Sequence, residues 1–192
     1  MANVKSYSCF PTMVYEFDGG LSKQNHANML NILDFEKPDN NLHEHLAFLS
    51  FTKIVKECTK EILRINQYFF EDIEITNMWG NLLSEKESHP PHTHSNNIFS
   101  GVYYLRASTG TAPIQFFDPR PQASVFAPRK KEYNRLNSDK VQFLSETGTG
   151  VVFPAWLQHW VPETLDERIS IAWNVLVRGE HGEPHTLQNA II

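Results

Sequence analysis

The sequence predicts a mainly β chain, a jelly-roll sandwich buttressed by N-terminal helices. Apolar residues recur at helical spacing only within the first 70 residues. After Glu71 the chain turns to short segments rich in Ile, Val, Phe, Tyr, Trp and Thr, separated by Pro, Gly, Asn and Ser. In chain order, an extended segment at 10–17 precedes the Gly19-Gly20 break. A first helix is expected at about 22–33, with apolar contacts from Leu21, Met29, Leu30 and Ile32. A second is expected at about 45–69, where Leu46, Leu49, Ile54, Val55, Cys58, Ile62, Leu63 and Ile65 lie close to helical spacing. Neither helix contains Pro or Gly. Strands are expected at 73–83, 98–105, 113–117, 141–144, 150–153 and 168–177.

The 192 residues, 41% of them hydrophobic, suffice for one domain with a real core. Residues 1–70 form its helical support, 71–178 its β core and 179–192 a tail, in which His181 and His185 read as solvated. The net charge of -5, without a long Lys or Arg run, argues against bulk nucleic-acid binding. No apolar run approaches the roughly 20 residues of a membrane span, and the N-terminus lacks a signal-peptide pattern. The expected location is therefore cytoplasmic. Cys9 and Cys58 lie far apart and read as free thiols. A homodimer is compatible with all of this.

Three of the nine histidines fall in His89-Pro90-Pro91-His92-Thr93-His94. The prolines forbid a helix there. In an extended chain, residues i and i+2 face the same way, so His92 and His94 present both imidazoles to one point. Neutral imidazoles suit Fe, Zn, Cu and Ni. Surface or hydrogen-bonding histidines are the bland alternative, and His89 has no comparable geometric case. His159 ends an apolar segment, Gly150 to Leu157, where a buried imidazole needs either a metal or a backbone carbonyl. From residue 168 the chain alternates, with Arg168, Ser170, Ala172 and Asn174 on one face and Ile169, Ile171, Trp173 and Val175 on the other. That polar face either meets solvent or lines a barrel. In the second case Arg168 is a buried cation that must meet an anion, and a carboxylate fits its fork, with Ser170 adding a hydroxyl bond.

These residues resemble the 2-oxoglutarate/Fe(II)-dependent oxygenase superfamily, in particular its prolyl-4-hydroxylase-like branch and a bacterial and phage group within it. The resembling stretches are Trp79-Gly80-Asn81, Pro91-His92-Thr93-His94, Ser100-Gly101-Val102-Tyr103-Tyr104-Leu105, Phe116-Phe117-Asp118-Pro119-Arg120, Val152-Phe153-Pro154-Ala155-Trp156-Leu157-Gln158-His159 and Arg168-Ile169-Ser170. The resemblance implies a double-stranded β-helix fold, Fe(II) and 2-oxoglutarate as cofactors, and O2 as cosubstrate. The implied reaction releases succinate and CO2, commonly with hydroxylation of the substrate. It matches His92 and His159 to the first and last iron ligands, and Arg168 and Tyr104 to the residues that hold the distal carboxylate of 2-oxoglutarate. It places Asn81 near the cofactor. The chain departs at His94, where the superfamily usually has a carboxylate. Three histidines then hold the iron, or a water or chloride fills the place beside His92 and His159. A slipped frame, with His94 first and Asn96 two residues on, is the third option, and Asp118 is a remote carboxylate.

Substrate recognition is expected from the polar, cation-bearing segment 118–140, read as a cover for an anionic or peptide substrate. Arg120, Asp118, Trp160 and Asn174 are the candidate contacts, and the partner is a small molecule or a peptide or protein side chain. Two other functions compete. One is a three-histidine iron dioxygenase of cupin type that works without 2-oxoglutarate. The other is a non-catalytic jelly-roll binding module whose histidines are vestigial or hold structural zinc.

Overall fold

The computed structural model describes residues 2–192. Tyr15, Glu16, Phe17 and Asp18 alternate between half-buried and exposed, and the chain uses them as an edge strand, β1 (Tyr15–Asp18). This strand overlaps the extended segment expected at 10–17. Helix α1 (Lys23–Leu30) is capped by Ser22, whose Oγ accepts from the Asn25 amide at 3.1 Å. It stops three residues short of expectation because the Ile32 and Leu33 amides bond three residues back, to Met29 and Leu30. That tighter spacing closes the helix.

Helix α2 (Leu49–Ile65) is also shorter than expected at both ends. Two 3-10 turns, Leu42–Glu44 and Leu46–Phe48, precede it, with His45 extended between them. Gln67 takes φ 57°, and the Tyr68 amide reaches back to the Leu63 carbonyl at 2.9 Å, which ends the helix. Its buried stripe is Phe51, Val55, Thr59, Ile62 and Leu63. Leu46, Leu49 and Ile65, expected inward, are exposed, because Phe51 sets the phase of the packed face.

The strands that follow are β2 (Asp72–Leu83), β3 (His89–His92), β4 (Phe99–Arg106), β5 (Ile114–Phe117), β6 (Lys140–Phe143), β7 (Thr149–Pro154), β8 (His159–Val161) and β9 (Arg168–Arg178). The six expected strands lie within one residue of these bounds. β1, β3 and β8 are too short to show a strand period. β10 (Glu180–His181) and β11 (Ala190–Ile191) form a small hairpin within what was expected to be a solvated tail.

Two antiparallel sheets result, ordered β1-β7-β4-β9-β2 and β3-β8-β5-β6. The outer face of the five-stranded sheet carries Tyr103, Ile171, Trp173 and Val175, which pack with Phe48, Phe51, Val55 and Met29. Phe51 stands edge-on to Trp173 with ring centroids 5.4 Å apart. Trp173 lies across Gly101, where any Cβ would collide with its ring. The inner face carries Val102, Tyr104, Val151 and Phe153, packed on Ile114, Phe116 and Phe143 of the four-stranded sheet. β9 is buried on both faces, so its polar side lines the space between the sheets and does not meet solvent. Among the described residues, no helix is long and apolar enough to cross a membrane.

Candidate metal centre

Pro90 and Pro91 cannot donate to a ladder, and β3 lies at the edge of its sheet, where prolines are tolerated. Its last residue, His92, pairs in register with His159, the first residue of β8. Paired residues project to one side, and the two rings lie 4.3 Å apart. The His94 amide donates to the Ala155 carbonyl at 2.9 Å, which brings its ring parallel to that of His159 at 5.2 Å. One ligand atom from each of His92, His94 and His159 lies within 4.8 Å of the others, and no carboxylate joins this group among the described residues.

The hydrogen bonds set the tautomers. His92 Nδ1 lies 2.8 Å from the Pro90 carbonyl and His159 Nδ1 lies 2.9 Å from the Leu157 carbonyl. A carbonyl only accepts, so both Nδ1 atoms carry hydrogen and both Nε2 lone pairs are free for a metal. Phe153 and Phe116 wall His159 at 4.6 and 5.8 Å, and Trp79 stands 6.1 Å from His94. Burial among such groups pushes His94 down to about 4, with His92 adding to the effect. Burial likewise pushes His159 down to about 4, partly opposed by its bond to Leu157. Both are neutral at pH 7, the form a metal needs. Asn96 is exposed in a left-handed turn at φ 62°, which takes it out of a ligand position. The Asp118 carboxylate is gripped by Arg120 at 2.9 and 2.7 Å, so it is not a remote ligand.

A second set of polar groups lies on the inner face of the five-stranded sheet. Arg168 is 2% exposed, and its Nη1 donates to the Ala112 carbonyl at 3.2 Å. Its Nε, the Tyr104 hydroxyl and the Ser170 hydroxyl are buried without a protein partner. Tyr104 and Ser170 are register partners, and the guanidinium lies 5.1 Å from the Tyr104 ring centroid. Buried polar groups are nearly always paired, so three unused ones on a single face select a ligand. A carboxylate, which only accepts, fits a guanidinium and two hydroxyls. Burial pushes Tyr104 up to about 12 against the opposing pull of Arg168, so the phenol keeps its proton to donate. Burial lowers Arg168 from its ordinary value, yet a guanidinium stays charged.

The remaining expected residues divide. Asn81 pairs in register with Ser170 on the inner face, and its Oδ1 accepts from Trp79 Nε1 at 3.2 Å. Asn174 is buried there too, its Oδ1 taken by the Ser100 hydroxyl at 2.7 Å. Trp160 alternates away from His159 to the outside of the four-stranded sheet and donates to Gln115 at 2.9 Å, so it does not line the centre. Arg120 is committed to Asp118.

His89 joins the neighbourhood, lowered by burial first and then by Arg168 and His92. Sequence reading missed the support under Arg168. The Ala112 carbonyl also accepts from Ser145 at 3.0 Å, and the Ala112 amide donates to Thr164 at 3.1 Å. Nothing distinguishes Ser145 and Thr164 in sequence from ordinary loop hydroxyls.

Residues 77–174, just over half of the chain, match the model of the family described as "Putative 2OG-Fe(II) oxygenase". The chain belongs to this family. As a 2OG-Fe(II) oxygenase it takes Fe(II) and 2-oxoglutarate as cofactors and is an oxidoreductase. No curated protein matches it by sequence. Among solved structures it is similar to a Pseudomonas putida prolyl-4-hydroxylase, at 15% identity and TM-score 0.61 over 88% of this chain and 89% of that one. The viral collagen prolyl hydroxylase of Paramecium bursaria Chlorella virus-1, in its 2OG complex, aligns at 14% identity and TM-score 0.57 over 84% and 94%. A Trichoplax adhaerens prolyl hydroxylase, in complex with a hypoxia inducible factor peptide fragment, aligns at 10% identity and TM-score 0.56 over 85% and 83%. At these identities the likeness shows a shared fold, the jelly roll with buttressing helices.

Proposed function

We propose that this 2OG-Fe(II) oxygenase holds iron through His92, His94 and His159 and anchors the distal carboxylate of 2-oxoglutarate on Arg168, Tyr104 and Ser170. In this reading residues 1–192 act as one domain and hydroxylate a side chain of a peptide or protein. The carrying observation is the set of three buried, unpartnered polar atoms on the inner face of the five-stranded sheet, together with three clustered imidazoles supplied from the β3-β8 side. When bound, the cofactors supply oxidative decarboxylation: 2-oxoglutarate and O2 become succinate and CO2, and one oxygen atom enters the substrate.

The chain's own part is binding, orientation and exclusion of water. Carbonyls of Pro90 and Leu157 fix the His92 and His159 rings with Nε2 forward. Three neutral ligands leave the double positive charge of the metal uncancelled, which a dianionic cofactor offsets. Phe116, Phe153 and Trp79 keep the surroundings apolar. Asn81, with its Oδ1 engaged, offers its amide N–H groups along the same face. The peptide bound to the Trichoplax hydroxylase supports a peptide as the substrate class.

The test is anaerobic calorimetric titration of the Fe(II)-loaded protein with 2-oxoglutarate, alongside thermal melts. Fe(II) and 2-oxoglutarate together raise Tm by mass action, and His159→Ala loses iron while remaining folded. An iron-loaded, folded protein that releases no heat and gains no Tm with 2-oxoglutarate refutes the cofactor site.

A further inference from the structure

Resting on that reading of the centre, we propose that the cleft beside it docks an acidic peptide segment bearing an apolar or aromatic side chain. The cleft, of about 360 Å³, opens between residues 8–14 and the segments around 116–120 and 135–143. Phe116 and Leu157 reach both the cleft and the centre, since Phe116 walls His159 and the Leu157 carbonyl fixes the His159 ring. A group seated in the cleft is thus held one side chain away from the metal ligands.

Its rim is apolar and unused by the fold. Phe10, Met13 and Leu136 line the cleft yet are 98%, 43% and 92% exposed. Single exposed apolar side chains are ordinary, but three from two chain segments around one cleft mark a binding surface.

Charge selects the occupant. The segment 118–140 carries six Lys or Arg and three Asp or Glu, a net of +3 in a chain whose total is -5. The rest of the protein is therefore at -8. Asp118 and Arg120 neutralise each other. Arg135 lines the cleft over the ring of Phe143 at 5.7 Å. Lys140 lines it too, with its ammonium at the rim toward the outer side of the sheet, 5.5 Å from the Trp160 ring, and neither is in an ion pair among the described residues. Asp139 is the one lining carboxylate without a partner of its own. An acidic segment is repelled by the body and attracted at this mouth, which steers it to the centre. A polynucleotide fits less well, because its phosphates continue past the two cations onto the acidic body.

The test is fluorescence anisotropy with labelled peptides on the full chain under nitrogen, with Fe(II) and 2-oxoglutarate. The probes are a Glu-rich peptide with a central Phe, its Lys-rich counterpart, and an oligothymidylate. The Glu peptide binds about tenfold or more tighter than the Lys peptide, and added salt narrows the gap. Arg135→Glu with Lys140→Glu abolishes the preference without lowering Tm. Leu136→Ser weakens the Glu peptide while keeping the charge preference. Equal binding of the Lys peptide, tighter binding of the oligonucleotide, or indifference to the charge reversal overturns the proposal. The same titration without cofactors separates the two readings. A protein that binds neither cofactor but keeps the preference loses only the oxygenase site, and one that binds both without a preference loses only the docking surface.

Discussion

Arg168 offers a test in which affinity and stability move in opposite directions. In the protein alone its guanidinium is 2% exposed, makes one bond to the Ala112 carbonyl, and leaves Nε unpaired. Arg168→Met keeps much of the side-chain length and removes the charge. Losing a buried charged partner costs ~2–5 kcal/mol of 2-oxoglutarate binding, a rise in Kd of roughly 30- to several-thousand-fold. For the cofactor-free protein the sign reverses. The variant gives up one hydrogen bond, about 1 kcal/mol, but no longer buries an uncompensated cation, a penalty of several kcal/mol. The Ala112 carbonyl is not orphaned, because Ser145 still donates to it at 3.0 Å. The expected net gain is ~1–3 kcal/mol, or about 2–4 °C in Tm per kcal/mol for a chain of this size. Calorimetry gives the Kd and melting of the metal-free protein gives Tm. A Tm that drops several degrees with Kd unchanged would make Arg168 a structural residue tied to Ala112 and refute the ligand role.

Two further expectations follow from the same neighbourhood. Thr164 accepts from the Ala112 amide and donates to the Asp166 carbonyl at 2.7 Å, so it holds the peptide on which Arg168 rests. Thr164→Val raises the Kd for 2-oxoglutarate by ~5–10-fold, the worth of about one hydrogen bond, while iron affinity stays constant and Thr164→Ser restores binding. Equal loss in the Val and Ser variants would show that the hydroxyl is not the cause. The acid response concerns the metal-free protein. His159 and His94 stay neutral down to about 4, whereas the unfolded chain takes up their protons near the ordinary 6.5. Stability is therefore flat above about pH 6.5 and falls as pH drops toward 4, with buried His159 contributing a slope of up to ~1.4 kcal/mol per pH unit. Urea midpoints across that window check it, and a midpoint that rises on acidification contradicts the assigned burial.

The site was legible where its signal was local and chemical. His92 and His159 pair on the four-stranded sheet, while Arg168, Tyr104 and Ser170 lie together on the inner face of the five-stranded sheet, where alternation had put Arg168 and Ser170 on one side. Trp160 was not legible, since adjacent residues on β8 point to opposite sides and only the register with Gln115 and Phe116 says which is inward. The ends of α1 and α2 were set by backbone bonds of Ile32, Leu33 and Tyr68, which no apolar period records. The phase of α2 depended on which side chain met Trp173, and that was Phe51.

By itself the sequence determined the class of fold, the six longer strands and which histidines were candidates for a metal, because each depends on short-range periodicity or on the chemistry of a residue type. Tertiary structure alone decided that the polar face of β9 is buried, leaving Arg168, Tyr104 and Ser170 with unused polar atoms. It also brought His94 together with His92 and His159, which the sequence had left as one of three arrangements. Burial comes from packing one sheet on another, and residues 67 positions apart, as His92 and His159 are, meet only when β3 pairs with β8.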